Sequence, residues 1–353
     1  MYKFKKRYLK VFWVIIFLFL VIVFIKEASY NNFANEKLVI SYLDVGQGDC
    51  AFIELPNGKS VLIDSGNYEN AYDIINFIKQ SGTYTLDYVI ATHPHADHIG
   101  SMAEIINTFN VKNFYMPKAY HTTTTFENLL DTIDAKGLTI QTAKAGKTIF
   151  KFGSVKAEFL APNSQGYDNL NDYSAVIMLT YNNKKFLFMG DAQKQSENEI
   201  LSAGFDVAAD VIKVGHHGSD TSSTQNFIKA VNPSIAVISV GSDNSYGHPD
   251  KLVLTTLSQS NAQVWRTDEK GTIIVTCDGV NITLSNIKKS VQSNAPPSDS
   301  LQGDNIIVYI TETGSKYHRA DCRHLHSSKI AVELDKLDTK KYLPCSVCNP
   351  PVK

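Results

Sequence analysis

The run Thr92-His93-Pro94-His95-Ala96-Asp97-His98-Ile99-Gly100 places three histidines and an aspartate within six residues, directly after the apolar stretch 88–91. So many ionisable side chains in one strand-to-helix turn do not build a core. Imidazoles and a carboxylate converging there make a ligand set for a borderline divalent ion. A second histidine-bearing turn, Gly215-His216-His217-Gly218-Ser219, follows the apolar stretch 211–214. Two aspartates close apolar stretches in the same manner: Asp64 in Leu62-Ile63-Asp64-Ser65-Gly66, and Asp191 after residues 186–190. Taken singly, Asp64 reads as a turn residue and Asp191 as a helix N-cap. His248 lies in a late loop, Tyr246-Gly247-His248-Pro249, where an exposed histidine is the ordinary reading. His121 precedes four threonines and reads as a loop residue. Neither G-x-S-x-G nor a phosphate-cradling G-x-x-x-x-G-K-[ST] occurs in the chain, which sets serine-nucleophile and P-loop chemistry aside.

These residues need rigid elements to hold them. Short alternating strands are predicted at 38–43, 51–55 and 61–63, a helix at 69–80, and a nearly all-apolar strand at 88–91. A strand at 111–116 and a helix at 126–134 follow. Two hairpins, 148–152 with 155–160 and 175–181 with 185–189, open a second set of strands that continues at 211–214, 235–240 and 273–275. Two mostly β halves with helices outside predict an α/β fold, a four-layer αββα sandwich.

In combination the motifs resemble the metallo-β-lactamase superfamily. Carried over residue by residue, the resemblance assigns His93 and His95 to a first metal site, and Asp97 and His98 to a second. It makes Asp191 the bridging carboxylate and Asp64 a support for the ligands rather than a ligand. His216 is the preferred completion of the second site, with His217 as the alternative ligand or a substrate contact. The family's remaining first-site histidine is expected between the HxHxDH turn and Asp191, where this chain reads Asn169-Leu170-Asn171-Asp172-Tyr173-Ser174. That departure, the early Asp44-Val45-Gly46-Gln47-Gly48-Asp49, the His-His-Gly-Ser at His216 and the turn ending Gly247-His248-Pro249 resemble the exported hydrolase domain of ComEC-type DNA-uptake proteins over about residues 38–285. In this setting His248 is expected at the metal cleft, contacting a phosphate or protonating a leaving group. Ser219 is expected to offer its hydroxyl to phosphate oxygens, as is Ser222, and the 44–49 loop to line the cleft.

The ends differ from the middle. Lys3, Lys5, Lys6, Arg7 and Lys10 precede fifteen unbroken apolar residues, 11–25. As a helix these span roughly 22 Å against a hydrocarbon core of roughly 30 Å, so flanking lysines must snorkel if the segment spans. Residues 1–28 therefore read as a basic start and an uncleaved signal anchor, with a cleaved signal peptide as the alternative; 29–37 read as a short linker. The hydrolase domain is expected at 38–287, a flexible Ser-, Pro- and Gln-rich linker at 288–304, and a small module at 305–353. In that module Cys345-Ser346-Val347-Cys348 with Cys322 and His318 fits a structural Cys3His zinc site, His324 and His326 being competitors for the histidine place. A redox pair or a disulfide between Cys345 and Cys348 are the alternatives. The tail resembles the small Ada-like zinc modules appended to exported bacterial nucleases.

The formal net charge of −1 is unevenly spread: +5 on the first ten residues, +3 on 305–353 and −9 on 38–287. The acidic centre argues against a sequence-blind, polycationic DNA coat. Two divalent ions, zinc or manganese, would restore positive charge at the cleft and acidify a water for attack on a phosphodiester. The chain is thus expected to be a metal-dependent hydrolase, a phosphodiesterase acting on DNA outside the cell membrane, with Asp97, Asp191 and His248 in the chemistry. It would be held to the membrane by its N-terminal segment, or secreted if that segment is cleaved; no protein partner is indicated. The alternatives are hydrolysis of a small lactone, thioester or phosphonate, and a non-catalytic surface binding module.

Overall fold

The computed structural model describes residues 37–242, 244–288 and, in the C-terminal part, 307–311, 314–319, 322, 325, 329–339, 341–345 and 350. The predicted membrane segment lies outside the described residues, as do linker residues 289–304, Cys348, His324 and His326. No described helix is long and apolar enough to cross a membrane. The chain divides into two compact units, 1–289 and 290–353.

The larger unit is built on two mixed sheets. The first contains β1 (Leu38–Tyr42), β2 (Ala51–Glu54), β3 (Ser60–Ile63), β5 (Tyr88–Ile90), β7 (Phe114–Met116) and β8 (Ile140–Thr142), and returns to collect β16 (Thr272–Cys277) and β17 (Ile282–Ile287) beside β1. Between them the short pair β4 (Thr85–Leu86) and β6 (Asn110–Val111) forms a separate ribbon. The second sheet runs β15 (Gln263–Arg266), β14 (Ile235–Ile238), β13 (Val211–Lys213), β12 (Lys184–Phe188), β11 (Ile177–Tyr181), β10 (Val155–Phe159) and β9 (Thr148–Phe152). One buried cluster joins Ile40, Ile53, Ile63 and Ile90 of the first sheet to Leu179, Phe186, Phe188 and Val211 of the second. Alternation along β10, with Val155, Ala157 and Phe159 inward, feeds that shared core.

Helices cover each outer face. On the first sheet α1 (Ala71–Gln80), α2 (Ala96–Ile99), α3 (Met102–Thr108) and α4 (Thr124–Ala135) bury Ile74, Ile78, Met102, Ile105, Leu129 and Ile133. On the second, α5 (Lys194–Ser202), α6 (Gln225–Val231) and α7 (Lys251–Gln259) bury Ile200, Phe227, Ile228 and Leu257. Both sheets are parallel where the chemistry sits: β3, β5 and β7 in one, β12, β13 and β14 in the other. The chain leaves β3 at Asp64, β5 at Thr92, β12 just before Asp191 and β13 just before the His216-His217 turn, so these residues share the carboxyl ends of parallel strands, the usual place for ligands in such sheets.

The strand expected at 111–116 is two strands in different sheets. Lys112 donates its backbone N–H to Leu86 O while Val89 takes the carbonyl of Asn113, so the chain changes partners at 112–113. The buried Asp87 carboxylate fixes this step by accepting Lys112 Nζ at 3.0 Å. The helix expected from residue 69 begins instead with a 3-10 turn, Tyr68–Asn70, closed by reciprocal Asn67 and Asn70 hydrogen bonds.

In the smaller unit four short strands pair in one sheet, and Val308, Tyr317, Leu334 and Leu337 make a core of only a few side chains. His318, Cys322 and Cys345 are all buried with their ligand atoms within 4.8 Å of one another, His318 Nδ1 standing 3.1 Å from Cys322 Sγ.

Candidate metal centre

The HxHxDH turn is held from below by Asp64. Its carboxylate accepts the backbone N–H of Thr92 at 2.8 Å, the Thr92 hydroxyl at 2.7 Å and His98 Nδ1 at 2.8 Å. His98 therefore donates from Nδ1 to Asp64, which leaves Nε2 as the atom that can face an ion once its own proton has left. The turn then closes on its neighbours: Ser65 N donates to His98 O at 2.7 Å and Gly100 N to Gly66 O at 2.9 Å. A Cβ on Gly100 would lie 2.5 Å from Ala96 O and 2.5 Å from Tyr68 N, both backbone atoms. Asp49 N donates to Asp97 O at 3.1 Å, so the Asp44–Asp49 loop buttresses the same turn.

Two groups of donors result. His93 Nε2, His95 and Asp191 form one, with His93 Nε2 2.9 Å from His95 Nδ1 and 3.7 Å from Asp191 Oδ2. Asp97, His98, Asp191 and His217 form the other: His217 Nε2 lies 3.2 Å from Asp97 Oδ2 and 3.7 Å from Asp191 Oδ2, and His98 Nε2 lies 3.2 Å from Asp191 Oδ1. Within each group the ligand atoms lie within 4.8 Å of one another, and Asp191 belongs to both. His98 Nε2 and Asp191 Oδ1 are buried and face each other in ion-pair range, but neither has hydrogen-bond geometry with the other or with any other described group. Buried polar atoms left unpaired are costly, and a shared cation satisfies both. The donor set, imidazole and carboxylate, suits zinc or manganese.

His217, not the expected His216, faces the second group. Its Nδ1 donates to Ser239 O at 3.1 Å with Asp49 Oδ1 3.2 Å away, leaving Nε2 for Asp97 and Asp191. Asp49 is in turn paired with the buried Lys213, Oδ2 to Nζ 2.8 Å, and Lys213 also donates to Val214 O. The physical reason for the exchange is the backbone. His216 and His217 both adopt left-handed conformations, φ 48° and 53°, so the extended backbone of β13 ends before them and the second histidine is the one turned toward the cluster. Two successive histidines in this region store strain that the surrounding contacts must hold. His216 stays half-buried, with Nδ1 2.9 Å from Thr221 Oγ1 and Nε2 3.8 Å from Asp191 Oδ2.

The serines expected at the substrate are otherwise engaged. Ser219 is buried, its hydroxyl paired with Thr221 Oγ1 at 3.0 Å, and Ser222 donates to Gly215 O and Ser219 O. Their hydroxyls hold the 215–222 loop in shape instead of lining an open cleft. His248 stands beside the cluster, its ring centroid 5.6 Å from that of His216 and 6.5 Å from that of His217. Asn244 fixes that loop, donating to Gly241 O and His248 O and accepting from His248 N. His121 is nearer the site than its sequence context indicates, with its ring 5.8 Å from that of His95. Lys213, Ser174 and Asn171 complete the surroundings. Ser174 Oγ accepts from Asp191 N at 3.0 Å and lies 3.4 Å from His93 Nδ1. The departure of residues 169–174 from the family pattern was the signal for Ser174 and Asn171; nothing in the sequence singles out Lys213.

The electrostatics follow from this crowding. Burial works against charge on His217, yet Asp191 and Asp49 push it up to about 10. His98 rises well above the ordinary histidine value against the same burial penalty, chiefly through Asp191 and Asp64. Burial penalises charge on Asp191 and Asp97 also, but His98 and His217 outweigh it and hold both below the usual carboxylate range. In the first group burial dominates and lowers His93 and His95. The second group thus demands positive charge, which a divalent ion supplies in place of two protons.

The family described as the metallo-beta-lactamase superfamily matches residues 43–242. The chain is 30% identical over 251 residues to the ComE operon protein 3 of Bacillus subtilis, covering 66% of this chain and 32% of that protein. It is 26% identical over 251 residues to recombination protein 2 of Haemophilus influenzae, covering 70% and 30%, and 25% identical over 242 residues to competence protein ComA of Neisseria gonorrhoeae, covering 68% and 32%. The chain thus matches about a third of the length of these relatives. With its fold of two mixed sheets and its buried histidine and aspartate cluster, the chain belongs to the metallo-beta-lactamase superfamily and is a hydrolase related to these competence proteins.

Proposed function

We propose that this chain is a metal-dependent phosphodiesterase that cleaves DNA on the outer side of the cell membrane. The observation that carries the reading is the pair of donor groups sharing Asp191, with His98 Nε2 and Asp191 Oδ1 buried 3.2 Å apart and neither in hydrogen-bond geometry with any described group. His93, His95 and Asp191 would hold one divalent ion; Asp97, His98, His217 and Asp191 would hold the other. Two ions so placed would acidify a water and neutralise the attacked phosphate and its departing oxygen. The protein's own part is orientation. Asp64 fixes the tautomer of His98, Ser239 and Asp49 that of His217, and Ser174 holds Asp191 from its backbone N–H.

His248 is lowered by burial and by the neighbouring His216 and His217, so near neutral pH it is an uncharged imidazole. That favours an N–H donor to a phosphate oxygen over the stronger acid needed to protonate a leaving group. The competence and recombination names of the relatives support DNA as the polymer. The acidic domain is compatible with a polyanion because attraction is confined to the ion pair in the cleft. Residues 11–25 would anchor the chain, and His318, Cys322 and Cys345 with Cys348 would hold a structural zinc in the C-terminal unit.

A substrate panel tests the proposal. The metal-loaded chain is offered end-labelled DNA beside a lactone, a thioester and a phosphonate, with His95→Ala in parallel. DNA cleavage that falls at least a hundredfold in His95→Ala is expected. Turnover of a small ester with DNA untouched would replace this reading by the small-substrate one, and no turnover by the loaded chain would favour a binding module.

A further inference from the structure

The 3-10 turn Leu170–Tyr173 occupies the stretch where the superfamily's remaining first-site histidine is absent. It is tied directly to the metal centre. Asp172 Oδ1 accepts the backbone N–H groups of Gln193 and Ser196, both at 3.1 Å, just beyond Asp191. Ser174 contacts Asp191 N and approaches His93 Nδ1, and Ala175 N donates to Thr92 O at 2.9 Å. The turn carries Asn171 and Asp172 inward, 5% and 4% exposed, and Asn171 faces His216. Asn171 Nδ2 lies 3.3 Å from His216 Nε2, and His216 Nδ1 lies 2.9 Å from Thr221 Oγ1. Gln193 Nε2 also lies 3.3 Å from that Nδ1, but the Thr221 contact is the shorter; with the ring proton directed at Thr221, Nε2 accepts from the Asn171 amide and fixes its orientation. The other end of the amide, Oδ1, is then buried with no partner at all. The same His216 Nε2 lies 3.8 Å from Asp191 Oδ2, the oxygen that His93 Nε2 approaches at 3.7 Å.

We infer that Asn171 Oδ1 is the remaining protein ligand of the first ion, an amide oxygen standing in the histidine's stead, and that His216 is a positioning residue that aims it. The first site then offers two imidazole nitrogens and two oxygens, like the second, and takes a divalent ion that accepts oxygen donors. The double left-handed backbone at His216 and His217 gains a purpose: one ring faces the second ion, while the other holds the ligand amide of the first.

The inference rests on the two-ion reading above, and the test separates the two. The full chain is stripped with a chelator, and zinc and manganese are titrated separately into wild type, Asn171→Ala, Asn171→Asp and Asn171→His, with thermal melts of the metal-free forms as the folding check. Asn171→Ala is expected to weaken one ion by about tenfold to a hundredfold and leave the other unchanged. Asn171→Asp, of the same size but charged, is expected to tighten that same ion about tenfold or more, and Asn171→His to favour zinc over manganese relative to wild type. A folded Asn171→Ala that holds both ions with wild-type affinity overturns the inference, as does an Asn171→Asp chain with unchanged affinity for both. A wild-type chain that fails to bind ions in its hydrolase unit overturns the two-ion reading itself.

Discussion

Asp64 illustrates how much of this centre lies one bond away from the ligands. It touches no proposed ion, yet it fixes Thr92 and the tautomer of His98 together. Asp64→Asn would place an amide N–H against one of these donors, and metal affinity is expected to fall about tenfold to a hundredfold, read by competitive chelator titration. Protonation gives a second expectation. His98 and His217 are raised above the ordinary value, His217 to about 10, so their protons must leave when Nε2 takes an ion. Metal affinity is therefore expected to strengthen as pH rises from about 6 toward 10, with net proton release near pH 7 in calorimetry across buffers of different ionisation enthalpy. The ligands of the HxHxDH turn were legible in the sequence because three histidines and an aspartate in six residues have no structural use. The choice between His216 and His217 was not, because it depends on two left-handed backbone angles that no side-chain pattern announces. Asn171 was visible only as a missing histidine.

Elements place these residues, and their joints are the vulnerable points. Gly100 sits where α2 meets the 66–68 backbone, and an added methyl would press on Ala96 O and Tyr68 N. Gly100→Ala is expected to destabilise the fold by about 1–3 kcal/mol in denaturant titration, with metal binding lost in parallel. On the second sheet, Glu197 of α5 accepts the backbone N–H groups of Ser223 at 2.5 Å and Thr224 at 3.0 Å, securing the start of α6 behind the histidine turn. Burial pushes Glu197 up from 4.5 to about 7. Because the folded value is raised, its contribution is complete below pH 4.5 and declines as pH rises through about 7. Unfolding free energy should accordingly fall across that window by on the order of 3 kcal/mol, and Glu197→Gln should flatten the dependence. Most strands were legible from apolar runs and alternation. Helices α5, α6 and α7 were not predicted, since each is short and buries only a few residues on one face. The break at 112–113 depends on the distant Asp87 carboxylate, which local pattern cannot reveal.

At the scale of the whole molecule, a near-neutral total conceals two folding strategies. The larger unit buries three apolar clusters around and between its sheets, whereas the smaller has a core of few side chains beside its buried His318, Cys322 and Cys345. Small units of this kind need a staple. Cys345→Ser is expected to remove about one zinc per chain by elemental analysis and to melt the C-terminal unit while the larger unit unfolds at its wild-type midpoint. The charge of −9 on residues 38–287 then describes a surface that repels a polyanion except where bound ions would reverse the sign. All of this depends on Asp191, the carboxylate that both donor groups share. The most direct measurement is the metal content of the dialysed wild-type chain against Asp191→Asn, with circular dichroism confirming that both are folded. The account requires the variant to lose at least one and up to two ions per chain relative to wild type. An Asp191→Asn chain with undiminished metal content would contradict it.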